Sequence, residues 1–114
     1  MAKDKSSRLE LLQGTLDLLI LRTLLFGAAH GHAIAQHIQR SSEEVLQVET
    51  GSLYPALHRL EAQGWVAADW ALSDKGKRAK YYRLTAAGKK RLVAEQSRWD
   101  QLSRAIGQVL RPAE

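Results

Sequence analysis

Cysteine is absent from the 114 residues, which excludes disulfides, thiolate metal sites and cysteine nucleophiles and leaves no mark of redox compartment. Long apolar runs are missing as well. The richest, around Leu16 to Phe26, is interrupted by Asp17 and Arg22 and is too short to span a bilayer. The opening MAKDKSSRLE is charged and has no small-residue cleavage site, so it does not read as a secretory signal. Acid is lacking in one place in particular. From Lys75 to Arg91 there is none, against eight cations: Lys75, Lys77, Arg78, Lys80, Arg83, Lys89, Lys90 and Arg91. Seventeen Lys and Arg face twelve Asp and Glu overall, a net charge of +5, so more than the whole excess sits in that stretch. These features describe a soluble, cytoplasmic protein of one domain with no membrane partner. Its charge favours polyanions without choosing among nucleic acid, anionic membrane and acidic protein.

The most informative stretch is Glu49 to Gly64, ETGSLYPALHRLEAQG. Thr50 and Ser52 are good N-cap residues, and Pro55 suits a helix's first turn, where its missing N–H has no partner to lose. The spacing predicts a helix over about 52–63, starting near Ser52. Leu53, Leu57 and Leu60 form one buried stripe, and Gly64 supplies a left-handed stop. The outward face then carries Ser52, Tyr54, His58, Arg59 and Glu61, a set of short donors, a phenol and a cation suited to base edges and phosphates. The same polarity is ordinary for a solvated helix, so the flanking elements must decide between the two.

Lys3, Lys5 and Arg8 form a basic arm ahead of a first helix, Leu9 to Phe26. That helix has two apolar stripes. Leu12, Leu16, Leu19, Ile20 and Leu24 form one, and Leu11, Leu18, Leu21 and Leu25 the other, on nearly opposite faces. A helix apolar on both sides must be covered on both, which in so small a chain points to a partner subunit. Gly27 and Gly31 bracket a turn, and His32 to Arg40 reads as a second helix buried through Ile34 and Ile38. His30, His32 and His37 lack the i, i+4 spacing of a helical metal site, so no metal is assigned and solvated or phosphate-facing imidazoles are expected. Leu46 and Val48 suit a very short strand before the third helix.

Beyond Gly64 the period changes to two. Trp65 to Leu72 and Lys80 to Leu84 read as hairpin strands around a polar loop, with the basic wing at about 73–80. Trp65, Trp70 and Tyr82, beside Val66, Leu72 and Leu84, are read as core, leaving Tyr81 exposed to phosphate. Thr85 can cap a last helix reaching about Leu110, before Pro112. Its seam of Leu92, Trp99, Leu102, Ile106 and Val109 has an obvious mate in Leu18, Leu21 and Leu25 of another subunit's first helix. The expected fold class is mostly α with a small β-hairpin: a winged helix-turn-helix over 9–84 and a dimerisation helix over 85–111.

GSLYPALHRLEAQGWV, followed by a basic loop and KRAKYYRLTAAGKKRL, resembles the PadR family of bacterial transcriptional regulators over nearly the whole chain. The resemblance implies a dimeric winged-helix repressor of the smaller type, with a single C-terminal helix. It places Gly51, Ser52, Tyr54 and Pro55 at the start of the recognition helix, and Lys80, Tyr81 and Tyr82 at the end of the wing. The second helix departs from the family's Gly-Tyr-Glu opening, since Gly31 is followed here by His32 and Ala33. Some members enclose a flat aromatic effector beside a tryptophan of the last helix. Trp99 stands where that residue could lie, with plain packing as the alternative, and Asp100 could complement a cationic compound.

Three functions compete. The first is a regulator reading double-stranded DNA as a homodimer at a two-fold related operator, through Gly51, Ser52, Tyr54, Pro55, His58, Arg59, Lys75, Lys77, Arg78, Lys80 and Tyr81. The second is a winged-helix module for protein interaction or ligand sequestration, without specific DNA binding. An enzyme is the third, and the sequence offers it no phosphate-cradling loop, nucleophile elbow or paired acid and base, so no catalytic residue or cofactor is assigned.

Overall fold

The computed structural model describes residues 13–111. Lys3, Lys5, Arg8, Leu9, Leu11, Leu12 and Pro112, to which the sequence assigns roles, lie outside them. Among the described residues the order is α1 (Gln13–Leu24), β1 (Ala29–His30), α2 (Gly31–Ser41), α3 (Thr50–Ala62), β2 (Val66–Leu72), β3 (Arg78–Leu84) and α4 (Ala86–Leu110). The strands form one antiparallel sheet in the order β1-β3-β2, with Val66 opposite Leu84 and Leu72 opposite Arg78. This is the expected winged helix-turn-helix with a long last helix.

The third strand differs from expectation. It is Ala29–His30, paired with Tyr82 and Tyr81, whereas at 45–49 only Leu46 forms a single β-bridge in an otherwise irregular link to α3. Leu46 and Val48 pack against the core from that link. Two residues alternate too briefly to announce a strand, and the partner of β1 lies about fifty residues downstream.

α1 lies at the centre, against α2, α3 and α4. Its Leu16, Ile20 and Leu24 meet Ile34 and Ile38 of α2, Leu53, Ala56, Leu57 and Leu60 of α3, and Val66 and Tyr82 of the sheet in one core. Leu21 belongs to that core as well, at 1% exposure, and is not available to a partner. It lies only about 60° round the helix from Leu24, within the arc the surrounding helices cover. Leu18 is half-buried and Leu25 exposed, so only part of the second stripe is free.

Gly64 ends the α3 turn at φ +79° and Gly76 shapes the hairpin tip at φ +77°, both in the left-handed region that side chains disfavour. At the next junction the Thr85 hydroxyl donates to the Gly64 carbonyl at 2.7 Å and accepts from the Gly88 N–H at 3.0 Å, capping α4. The Thr85 N–H bonds the Trp65 carbonyl at 3.1 Å, and the Arg91 guanidinium lies 4.5 Å from the centroid of the Trp65 ring. Leu92, 4% exposed, completes the anchorage, so it too is core and not dimer seam. Beyond it α4 leaves the body. From Val93 to Leu110 every residue except Glu95 and Gly107 is exposed.

A methyl group on Gly88 would run into the Trp65 carbonyl and lie 2.8 Å from Leu84 Cδ1. Because backbone cannot step aside cheaply, Gly88→Ala is expected to lower stability by about 2–3 kcal/mol, measured by chemical denaturation.

Candidate nucleic-acid interface

α3 begins earlier than its capping residues suggested. Glu49 is the N-cap, without a side-chain bond, and Thr50, Gly51 and Ser52 already lie in the first turn. Pro55 is therefore the sixth residue of the helix and not in its first turn. Its ring removes the bond that an N–H there would make to the Gly51 carbonyl. Both residues are exposed, so the interruption falls on the outward side, away from the stripe of Leu53, Ala56, Leu57 and Leu60.

Gly51, Ser52, Tyr54, Pro55 and His58 share the exposed face. Tyr54 leans on the start of α2: a Cβ at Gly31 would stand 2.6 Å from its hydroxyl and 2.9 Å from its ring. Glycine at 31 thus lets the phenol lie flat against the backbone. The adjoining His30 is half-buried and engaged through one ring nitrogen. Its Nδ1 accepts from the Ala33 N–H at 3.2 Å, capping α2, and its ring meets Tyr81 edge-on with centroids 5.4 Å apart. Tyr81 is correspondingly half-buried and not the exposed contact expected.

Arg59 does not join this face. Its Nη2 donates to Asp17 Oδ1 of α1 at 3.0 Å, and its Nε is buried without a protein partner among the described residues. Lys80 Nζ reaches Glu61 Oε1 at 3.4 Å and lies 5.6 Å from the centroid of the Tyr82 ring, so it too is engaged internally. Burial raises the Tyr82 phenol above its ordinary range, against the pull of Lys80, and keeps it neutral in the core. Lys75, Lys77 and Arg78, by contrast, are exposed on the wing and form no ion pair among the described residues. The loop holding them is closed by the Ser73 N–H to the Lys77 carbonyl at 2.7 Å and by the Gly76 N–H to the Ser73 carbonyl at 2.9 Å.

Trp70 and Leu72, core residues by their alternation, are instead 60% and 69% exposed. Their alternation with Val66 and Ala68 is right, but the hairpin outruns the helices that cover its base. Position along the strand relative to the core, not periodicity, was the missing signal. Between wing and α3 lies a cleft of about 560 Å³ bordered by His32, Tyr54, His58, Trp70, Lys77 and Arg78.

A second cleft, of about 590 Å³, runs between α1 and α4, lined by Gly14, Thr15, Leu18, Glu95, Trp99 and Leu102. The acid bordering it is Glu95, held by Arg91 at 2.7 Å and Arg98 at 3.4 Å, whereas Asp100 is exposed and not among its lining residues. Trp99, Leu102, Ile106 and Val109 stand exposed along α4.

Residues 20–94 match the model of the transcriptional regulator PadR-like family. The chain is 34% identical to an uncharacterized protein of Lysinibacillus sphaericus, over 87% of its own length and 91% of the relative's. Among solved structures it resembles a transcriptional regulator from Clostridium thermocellum at 27% identity, with a TM-score of 0.80 over 87% of this chain and 96% of the other. It also resembles a PadR family regulator from Eggerthella lenta at 32% identity, with a TM-score of 0.75 over 89% and 86%.

The Asp17 to Arg59 pair has a pH signature. Burial raises the Asp17 carboxyl above the ordinary 3.8 despite the opposing hydrogen bond and charge of Arg59. A carboxyl raised on folding stabilises the fold most below its unfolded value, and that contribution is lost as pH rises through its folded value. At neutral pH Asp17→Asn, which keeps an acceptor for Arg59, should therefore be at least as stable as wild type, and its advantage should shrink in acid near and below 3.8. Thermal melts across pH check this, and a loss above about 1 kcal/mol at pH 7 would mean that the ion pair outweighs desolvation.

Proposed function

The chain belongs to the PadR-like family of transcriptional regulators, and from that premise we propose that it is a repressor binding a two-fold related DNA operator as a homodimer. The observation that carries the reading is one exposed surface on which the α3 face of Ser52, Tyr54 and His58 stands beside a wing whose Lys75, Lys77 and Arg78 form no ion pair among the described residues. In this reading α3 enters the major groove. Ser52, Tyr54 and His58 meet base edges, while Gly51 and Pro55 keep the backbone at the groove floor free of long side chains. The wing cations supply affinity without sequence information. Arg59, Lys80 and Tyr81 act from behind, by fixing α3 and the sheet.

Residues up to 84 form the DNA-binding unit and 85–111 the dimerisation helix. Trp99, Leu102, Ile106 and Val109 present an apolar strip too long to leave in water, and Leu18 and Leu25 of α1 extend it. Two subunits joined there carry two α3 helices to successive major grooves, about 34 Å apart. The cleft beside Trp99 is the seat for a flat aromatic effector, closed by the second subunit. No helix among the described residues is long and apolar enough to cross a membrane.

The test is binding to labelled duplexes covering the DNA just upstream of the coding sequence, at two salt concentrations, with random DNA as competitor. Saturable binding that resists the competitor is the expected result, with affinity falling steeply in salt by a log–log slope of roughly 0.9 per phosphate contact. Absent or indiscriminate binding would favour the protein-interaction reading instead. Joint replacement of Lys75, Lys77 and Arg78 by Glu should abolish DNA binding and leave the dimer intact. Ile106→Glu should shift the protein to monomer in sedimentation analysis and weaken operator binding by at least about a hundredfold, because paired half-sites are lost.

A further inference from the structure

The wing face that looks toward α3 changes character along its length. Val66, Ala68, Trp70 and Leu72 alternate onto it from β2, opposite Leu84, Tyr82, Lys80 and Arg78 of β3. At the base this face is core, with Val66 and Tyr82 buried. Two residues further out it has no cover. The Trp70 indole is left 60% exposed, with the Arg78 guanidinium 5.1 Å from its ring centroid. Across the cleft stand Tyr54 and His58 of α3.

No acidic residue lines this cleft, while Lys77, Arg78 and Lys80 do. Two neighbouring carboxylates are paired, Glu61 with Lys80 and Asp69, on the opposite face of β2, with Arg83 at 3.4 Å, while Asp74 stands exposed in the wing loop outside the cleft lining. The cleft lining therefore combines an uncovered apolar ring with an excess of positive charge, which matches a chain of alternating apolar sugar and anionic phosphate. A helix seated in a major groove is flanked by the sugar-phosphate strands that form the groove's walls. A cleft between that helix and a wing reaching the next groove must hold one of them.

We propose that Trp70 and Arg78 form a clamp on the sugar-phosphate strand running between recognition helix and wing, the indole covering a deoxyribose and the stacked guanidinium meeting the adjacent phosphate. This rests on the DNA-binding reading and adds to it, through the indole, a contact that is apolar, sequence-independent and insensitive to salt. Stacking on the indole also holds the Arg78 head in place, so its fork meets the phosphate without first losing rotamer freedom.

The experiment titrates the full chain with the upstream duplex and with a random duplex over a range of salt. Trp70→Ala should weaken binding to both by about five- to tenfold with the salt slope unchanged. Arg78→Ala should lower the slope by roughly 0.9 for each phosphate released. Trp70→Phe, which keeps a ring, should retain most of the affinity. It should also lose the quenching of tryptophan emission that DNA causes in wild type, although Trp65 and Trp99 remain. Unchanged affinity in Trp70→Ala, or undiminished quenching in Trp70→Phe, would overturn the clamp while leaving the DNA-binding reading in place. Failure of the wild type to bind either duplex would overturn both.

Discussion

One threonine hydroxyl fixes how the two working parts of this molecule face each other. Thr85 donates backward to the carbonyl that ends the α3 turn and accepts forward from the Gly88 N–H in the first turn of α4. Its contribution as a cap is about 1 kcal/mol, modest beside the burial of Leu57, Leu60 and Leu92. Direction is what it adds. The glycine at 88 lets α4 approach the Trp65 backbone, and Arg91 closes over the Trp65 ring, so the last helix departs from the body at a set angle. α3, proposed to read DNA, and the helix proposed for dimerisation are thus joined through the same few residues.

The cations divide into two groups by what they touch. Arg59, Lys80, Arg83 and Arg91 each reach a carboxylate of their own chain. Lys75, Lys77 and Arg78 reach none among the described residues. Formal charge cannot separate these groups, because an internally paired cation and a free one count equally in a sequence sum. Arg22, Arg40, Lys89, Lys90 and Arg104 are also exposed without a carboxylate partner among the described residues, but the second group is gathered on one hairpin loop of fixed shape.

Much of the fold was legible because its signals are local. The α3 stripe, the glycine stop at 64, the basic hairpin and the Thr85 cap each declare themselves within a few residues. What stayed hidden depends on contacts distant in sequence. β1 is two residues long and exists only through its pairing with β3. Arg59 looks outward on a helical wheel, yet it is drawn to Asp17, forty-two residues earlier. Leu21 and Leu92 fit the seam by periodicity but fall within the range of the core, whereas Trp70 and Leu72 fit the core by periodicity but lie beyond it. Periodicity tells which way a side chain points; it does not tell how far the neighbouring element extends.

With the junction at Thr85 fixed, the length of α4 makes it a lever arm. Twenty-five residues make a rod of about 37 Å, most of it clear of the body. If its far portion is gripped by a second copy, a tilt of about 5° along such a rod displaces the body by roughly 3 Å, close to the 3.4 Å rise of one base pair. In the proposed dimer, small changes in how two such rods cross would shift each body along a duplex by about one base-pair rise. Geometry alone supplies the gain, with no rearrangement inside either winged body.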